Sequence, residues 1–532
     1  MTGSQRHAWR RGSRVACCLS GVAILTLTVA ATAAVAERPP HVRPPARVAL
    51  LTTVSGPTPF PAGCPGAFHD ELKIDGLVVE PAIAVNPRNP RNIVATWKQD
   101  IVPVYNGRDD VVASSFDGGR TWRRTTIPRL TRCTGGTADT ASDPWVSFGG
   151  DGTAYFAGQA GLVSTDPEQI AIVASHSHNG GRRWAPPTTV APPLAGNETP
   201  AITASPTRPG RAYMTWANFQ TDIEPPWTNT VSFSRTTDHG KHWSAPVLVD
   251  QAGPFVIDLA PRIQALHHGA LLAIFARADF ATQRASIQAV RSPDGGRTWG
   301  APIEAGFKPL AGEFLDPETG DILPQAGYPS SAVAPDGTVY VAYENSTSPT
   351  EGGIGVARSR DSGRTWTTIA VPGVTAFAFE PAIAVDRHGT VGVTWYDLRN
   401  DTAGDAATTA DLWTATSHDR GGTWLQTHVA GPTDLRSAAP AQQNRFGEYQ
   451  GMAGLRTGFA AIFTLASPQA RNGPTDIMFA HITPDRRGWC VPPHSRQHEA
   501  ACSGQGRGPN VGSPATLTRR SLGHRSHHAG HR

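Results

Sequence analysis

Methionine is scarce in this 532-residue chain, 4 in all, and charged residues make up only 17% of it. With 55 Gly and 46 Pro interrupting any run of helix formers, long helices and helical bundles are excluded. No apolar run beyond the N-terminal segment is long enough to cross a membrane, which excludes a polytopic membrane protein. Disorder is excluded too, because 14 Trp and 39% hydrophobic residues are material that strands joined by tight turns bury. A large soluble all-β protein remains.

A basic face is also missing. The net charge of +4 is carried by the ends: residues 1–36 hold four Arg and no acid, and residues 486–532 hold eight Arg and one Glu. That leaves −7 for residues 37–485, the opposite of a nucleic-acid-binding field.

Arg6, Arg10, Arg11 and Arg14 precede an apolar stretch, Val15 to Val35, that ends in Ala34-Val35-Ala36 before Glu37. This reads as a secretory signal cleaved after Ala36, giving an extracellular protein without stable membrane insertion; an uncleaved anchor is the alternative. Residues 37–47 form a Pro-rich linker. Removal of the signal leaves Cys64, Cys133, Cys490 and Cys502 in an oxidising compartment, with Cys64–Cys133 and Cys490–Cys502 the preferred pairing of three. From residue 485 the chain is rich in Arg, His, Gly and Ser without periodicity, as expected of a disordered tail.

Between linker and tail one pattern recurs. Ser-x-Asp-x-Gly-x-Thr-Trp occurs at Ser115–Trp122, Ser292–Trp299, Ser359–Trp366 and Ser417–Trp424, with degraded copies at Ser177–Trp184 and Thr236–Trp243. The six Trp are separated by 56–67 positions. The residue types suit a hairpin turn: Asp accepts turn N–H groups, Gly supplies φ > 0, and Trp plugs the space between layers. A second segment precedes each copy: Glu80-Pro-Ala-Ile-Ala-Val, Asp143-Pro-Trp-Val-Ser-Phe, Thr199-Pro-Ala-Ile-Thr-Ala, Ala260-Pro-Arg-Ile-Gln-Ala, Tyr328-Pro-Ser-Ser-Ala-Val and Glu380-Pro-Ala-Ile-Ala-Val. Proline placed at a strand start loses no ladder bond, so these are expected to be innermost strands beginning at the proline.

The turn pattern is the Asp-box, or bacterial neuraminidase repeat, and the chain over residues 48–484 resembles the sialidase-like β-propellers. The resemblance implies four-stranded antiparallel blades. A segment after the last box, Glu448 to Ile482, has three strands and no box, and Val48–Val54 can supply its fourth strand and close the ring. Seven blades are expected, with a six-bladed ring plus appendage as the alternative. The box turns should lie on one face, and the starts of first strands on the other, where sialidase-like propellers place their site.

The family's chemistry uses three arginines for the substrate carboxylate, a Tyr–Glu pair as nucleophile and an Asp as acid/base. Carried onto this sequence, Tyr449 is the nucleophile candidate, with Glu380 as its base. Asp143 or Asp100 is the acid/base, and Arg262, Arg399 and Arg445 form the clamp. Glu80 and Asp397 complete the candidate binding face. The family's aromatic-Arg-Ile-Pro segment is missing: its place is taken by Glu80-Pro-Ala-Ile, an acid where a cation is expected.

The resemblance therefore implies a secreted, monomeric exo-α-sialidase-like glycoside hydrolase acting on terminal acidic sugars. The alternative is a non-catalytic propeller that binds glycan or protein. No cofactor is expected, except that the acidic strand starts could ring the axis and hold Ca²⁺.

Overall fold

The computed structural model describes residues 45–483, apart from 62–63, 65–73, 102–105, 166, 220–227, 310–313, 317–319, 321–322, 324–326, 349–350, 406, 439–445 and 467–471. Five four-stranded sheets and one eight-stranded sheet account for the named strands. The eight-stranded sheet is two four-stranded units joined by a single pairing, Gly107 with Ala141. There are therefore seven antiparallel units.

Their first strands are Ile74–Val85, Thr140–Phe148, Asn197–Ala204, Val256–Ala265, Ser330–Val333, Ala378–Val385 and Gly451–Gly454. Each of these is the neighbour of the next, and the seventh returns to the first. Such a closed cycle of innermost strands is a β-propeller, and the units are its blades. The first strand of the chain, Arg47–Thr53, pairs antiparallel with Thr475–Thr483 as the outer strand of blade 7. Ring closure by the N-terminal strand thus agrees with expectation, and the six-bladed alternative does not describe this fold.

The apolar residues show why seven units hold together. Seven separate large clusters form, one in each seam: Phe156 and Trp184 of blade 2 meet Val94 and Val112 of blade 1, and Phe233 of blade 3 meets Phe275 of blade 4. The last seam joins Phe479 and Ile462 of blade 7 to Trp97 of blade 1. The seams between blades hold the core, so the inner strands are buried on both faces, as Val339–Glu344 and Val391–Asp397 are throughout.

One expectation fails in an informative way. Pro81, Pro144, Pro200, Pro261 and Pro381 do not begin their strands; they lie inside them, where the register with the second strand shifts. A β-bulge takes the proline out of the ladder, so its missing N–H costs no bond there either. The residue before each of these prolines adopts positive φ: Glu80 +58°, Asp143 +53°, Thr199 +50°, Ala260 +47° and Glu380 +48°. This conformation is costly for a non-glycine residue, and it recurs at equivalent points of five blades.

The repeated turns join third to fourth strands and lie on the face opposite the starts of the first strands. At Ser115–Trp122, Asp117 Oδ1 accepts from the Arg120 and Thr121 N–H groups at 3.0 Å each, and the Thr121 hydroxyl donates to Oδ2 at 2.6 Å. These Thr121 bonds hold the Asp117 carboxyl down at about 2. The Ser115 hydroxyl accepts from Gly119 N–H at 2.9 Å. The same set recurs around Asp294 and Asp361.

The turn glycine serves packing as well as conformation. Gly296 has φ +85°, and a Cβ there would overlap the ring of Phe233 in the neighbouring blade, which packs edge-on against Trp299 at 5.2 Å. Gly296→Ala is expected to cost about 2–4 kcal/mol through strain and overpacking, read as a lower urea midpoint without a change in slope. The Cys64–Cys133 disulfide is present, tying the segment after the first strand to the short 3-10 turn Arg132–Thr134. Cys490 and Cys502 lie outside the described residues, as do the expected signal, most of the expected linker and the expected tail.

Candidate active site

The bulges bring polar side chains into one cup on the axis. In blade 1 the bulge residue Glu80 meets Lys98 from the second strand, with Nζ 2.8 Å from Oε1 and both side chains buried. The equivalent pair in blade 2 is Asp143 with Gln159. The Gln159 amide donates to Asp143 Oδ2 at 2.9 Å and to Glu198 Oε2 at 3.0 Å. Asp143 also accepts from the Ser142 hydroxyl at 2.9 Å and Thr199 N–H at 3.0 Å. Lys98 and Gln159 hold matching places, since Val79 pairs with Lys98 and Ser142 with Gln159 across their ladders.

Ala82, Trp145, Ala201, Arg262 and Ser330, each the residue after a proline, line the axial cavity, joined by Gln450 just ahead of blade 7's first strand. The small residues leave room for the large ones. Arg262 lies against three rings: its guanidinium carbon is 4.3 Å from the Trp145 centroid, 5.4 Å from Tyr449 and 5.9 Å from Tyr328. It is 4% exposed, and among the described residues it makes no hydrogen bond or ion pair; its Nε is buried without a partner. A buried guanidinium stacked on aromatics rather than bonded to a carboxylate is uncommon.

Burial raises the pKa of several carboxyls around it. Burial pushes Glu80 up to about 8 against the pull of Lys98, with Asp143 and Glu448 adding to the rise. Glu198 is raised well above the ordinary range by burial and by Asp143, Glu380 by burial and by Glu344. Glu448 is raised by burial and by Asp143, although the Tyr328 hydroxyl donates to it. Burial and Asp109 raise Asp110, whose carboxylate oxygens have no bonding partner.

A pH dependence of stability follows. A carboxyl whose pKa is higher folded than unfolded contributes stability that is fully present below the unfolded value and is lost as pH rises through the folded one. Glu80 at about 8 and Asp109, lifted by burial to about 7, place that loss between about pH 5 and pH 8.5. The urea midpoint is expected to fall across this window, and Asp109→Asn to flatten the slope near pH 7. A midpoint that rises over the same range would refute the assignment.

The candidates from sequence are distributed as follows. Glu80, Asp143, Arg262 and Tyr449 share the cup. Tyr449 packs on Trp145 with centroids 5.4 Å apart, and its hydroxyl donates to the Pro144 carbonyl at 3.1 Å. Burial raises its pKa well above the ordinary value, and Glu80 is the carboxyl whose charge adds most to that rise. Glu380 belongs to a different group: its N–H donates to Glu344 at 2.9 Å and its carbonyl accepts from Gln450 at 2.6 Å. The carboxyl whose charge acts most on Tyr449 is therefore Glu80, on the other side of blade 7 from Glu380.

Arg399 and Asp397 are engaged with each other. Arg399 Nε lies 2.9 Å from both Asp397 oxygens, its Nη1 donates to Gln426 at 2.7 Å, and the guanidinium stacks on Trp413 at 4.2 Å. Asp100 accepts from Gly76 N–H at 2.8 Å and from Thr58 at 2.7 Å, which makes it a structural acceptor. Arg445 lies outside the described residues. Among the described residues no group of three His, Cys, Asp or Glu side chains is placed to hold a metal.

Sequence reasoning missed Trp145 and Gln159. Both had a signal: Trp145 is the one large aromatic where other first strands carry Ala, Ser or Arg after the proline, and Gln159 occupies the register position of Lys98.

No protein-family model matches the chain, and no curated protein matches it in sequence. Solved structures resemble it in fold. A protein of unknown function from Dyadobacter fermentans is 12% identical, covering 83% of this chain and 100% of that one with a TM-score of 0.44. An α-L-arabinanase from Penicillium chrysogenum is 13% identical over 82% and 99%, with a TM-score of 0.42. A sialidase from Streptococcus pneumoniae is 10% identical over 77% and 94%, with a TM-score of 0.41.

Proposed function

We propose that the protein is a secreted glycoside hydrolase of the sialidase-like kind, its repeated turns being Asp-boxes, and that the axial cup cleaves a terminal acidic sugar from a glycan. The supporting observation is Arg262: a buried guanidinium in an aromatic-walled cup, without a bonding partner among the described residues and beside carboxyls whose pKa values burial raises. An acidic sugar supplies the missing partner, since its carboxylate can take two guanidinium N–H groups at once, and its ring can lie on Trp145 and Tyr328.

In this reading Glu80, as the carboxylate that pairs with Lys98, takes the proton of Tyr449 as the phenolic oxygen attacks the anomeric carbon, while Asp143 protonates the departing oxygen. Water then cleaves the tyrosyl–sugar bond with Asp143 as base, which retains configuration. A neutral nucleophile suits a carbon next to a carboxylate.

The test is release of fluorophore from a panel of acidic and neutral 4-methylumbelliferyl glycosides by the mature protein. Turnover of acidic members alone supports the reading; turnover of neutral members alone, or of none, refutes it. A second reading, glycan binding without cleavage, is favoured by one feature: the Tyr449 hydroxyl donates to a backbone carbonyl rather than to a carboxyl. It is distinguished by saturable binding on a glycan array without product.

A further inference from the structure

Beneath Arg262 the axis holds a partly open cavity of about 70 Å³, room for a few waters and too small for a sugar ring. Its polar lining is Thr203, Arg262, Gln264, Ser330, Ser331 and Gln450, and no lining side chain is acidic. The cup above is crowded with carboxyls; the chamber below has none.

Accounting for each donor shows which are free. The Thr203 hydroxyl donates to the Ile263 carbonyl at 2.6 Å, and the Gln264 amide is bonded to Ser331 O and Oγ at 3.0 and 2.9 Å. Both are occupied. Ser330 Oγ accepts from Ile383 N–H at 3.1 Å and Ser331 Oγ accepts from Gln264, so each hydroxyl keeps its own hydrogen to donate. Arg262 Nε–H is buried without a partner, and Gln450 has a second amide hydrogen beyond its bond to the Glu380 carbonyl. Four donors, one of them cationic, and one unpartnered acceptor, Gln450 Oε1, line a small chamber without a negative charge.

We propose that this axial cavity binds a monovalent inorganic anion, chloride under ordinary conditions, held by Arg262, Ser330 and Ser331. A halide fits because it accepts from several directions and brings no hydrogens to place. A larger oxyanion does not fit with its shell. The anion would balance the guanidinium from below, and would weaken its hold on any acidic ligand in the cup, since both draw on one positive charge. The site does not depend on the cup being catalytic.

The experiment uses the mature protein in sodium gluconate, replacing gluconate by chloride at constant ionic strength. A saturable rise in Tm with chloride is expected, and bromide in place of chloride should give an anomalous peak in the cavity. Arg262→Met should abolish the saturable response. Ser331→Ala, which leaves the cation in place, should raise the half-saturating chloride concentration about tenfold. A Tm equal in gluconate and chloride, an empty or water-filled cavity in bromide, or an unchanged half-saturation in Ser331→Ala would each overturn the proposal, whatever the glycosidase assays show.

Discussion

Lys98→Met is expected to lower the unfolding free energy by about 3–5 kcal/mol at pH 8.5, a large share of the total for a single side chain. The variant keeps the aliphatic volume and removes the charge bonded to Glu80 at 2.8 Å. Glu80 would then face Asp143 and Glu448 with one oxygen already unpartnered. At about pH 5 Glu80 takes up a proton in the variant, and the cost should shrink to about 1–2 kcal/mol, the value of a lost neutral bond. The double variant Lys98→Met/Glu80→Gln should recover much of the loss at pH 8.5. Urea titrations of the three proteins at both pH values measure this directly. A cost independent of pH would mean that packing, not charge, is what Lys98 provides.

Tyr449→Phe should reduce turnover of an acidic glycoside by ~10³-fold or more, as expected when a nucleophile is removed and only positioning remains. Its stability should change by about 1 kcal/mol, the bond to the Pro144 carbonyl. Arg262→Met has a different signature: a rise in KM for acidic substrates of about 10–100-fold, from loss of a charge-assisted bidentate contact. If Tyr449→Phe turns over as fast as the parent, the cup does not work through a tyrosyl intermediate. If Arg262→Met raises KM equally for acidic and neutral glycosides, Arg262 does not recognise the acid.

The two variants therefore probe separate atoms of one cup. Because Tyr449 and Arg262 touch across 5.4 Å, their effects on binding should not be additive. The comparison is meaningful only in one anion background, since chloride beneath Arg262 would compete for its charge.

The turn repeat was legible because its whole chemistry fits within eight residues. Asp117 finds its donors at Arg120 and Thr121, and the Ser115 hydroxyl serves Gly119, so the pattern is readable without knowing what surrounds it. The count of seven followed from repetition, and the closing role of the first strand from the absence of a fourth strand in the last unit. The bulges were misread because a proline inside a strand and a proline at its start leave the same local trace; which one occurs depends on the partner strand's register.

The composition of the cup required three dimensions. Glu80, Asp143, Arg262, Tyr328 and Tyr449 come from five blades; the first three sit at bulges of their strands, whereas Tyr328 and Tyr449 stand just ahead of theirs. Glu380 has the same motif as Glu80, Glu-Pro-Ala-Ile-Ala-Val, and the same positive φ, yet it is the charge of Glu80 that acts on Tyr449, while the backbone of Glu380 is bonded to Glu344 and Gln450. Arg399 likewise had the right residue type and strand end, but Asp397, two residues away, captured it. Local hydrogen-bonding patterns and apolar periodicity are properties of short segments, so the chain order alone carried the propeller and its turns. Which charges meet, and which remain unbonded, is a property of the closed ring, where burial and the absence of a competing partner decide the state of each group.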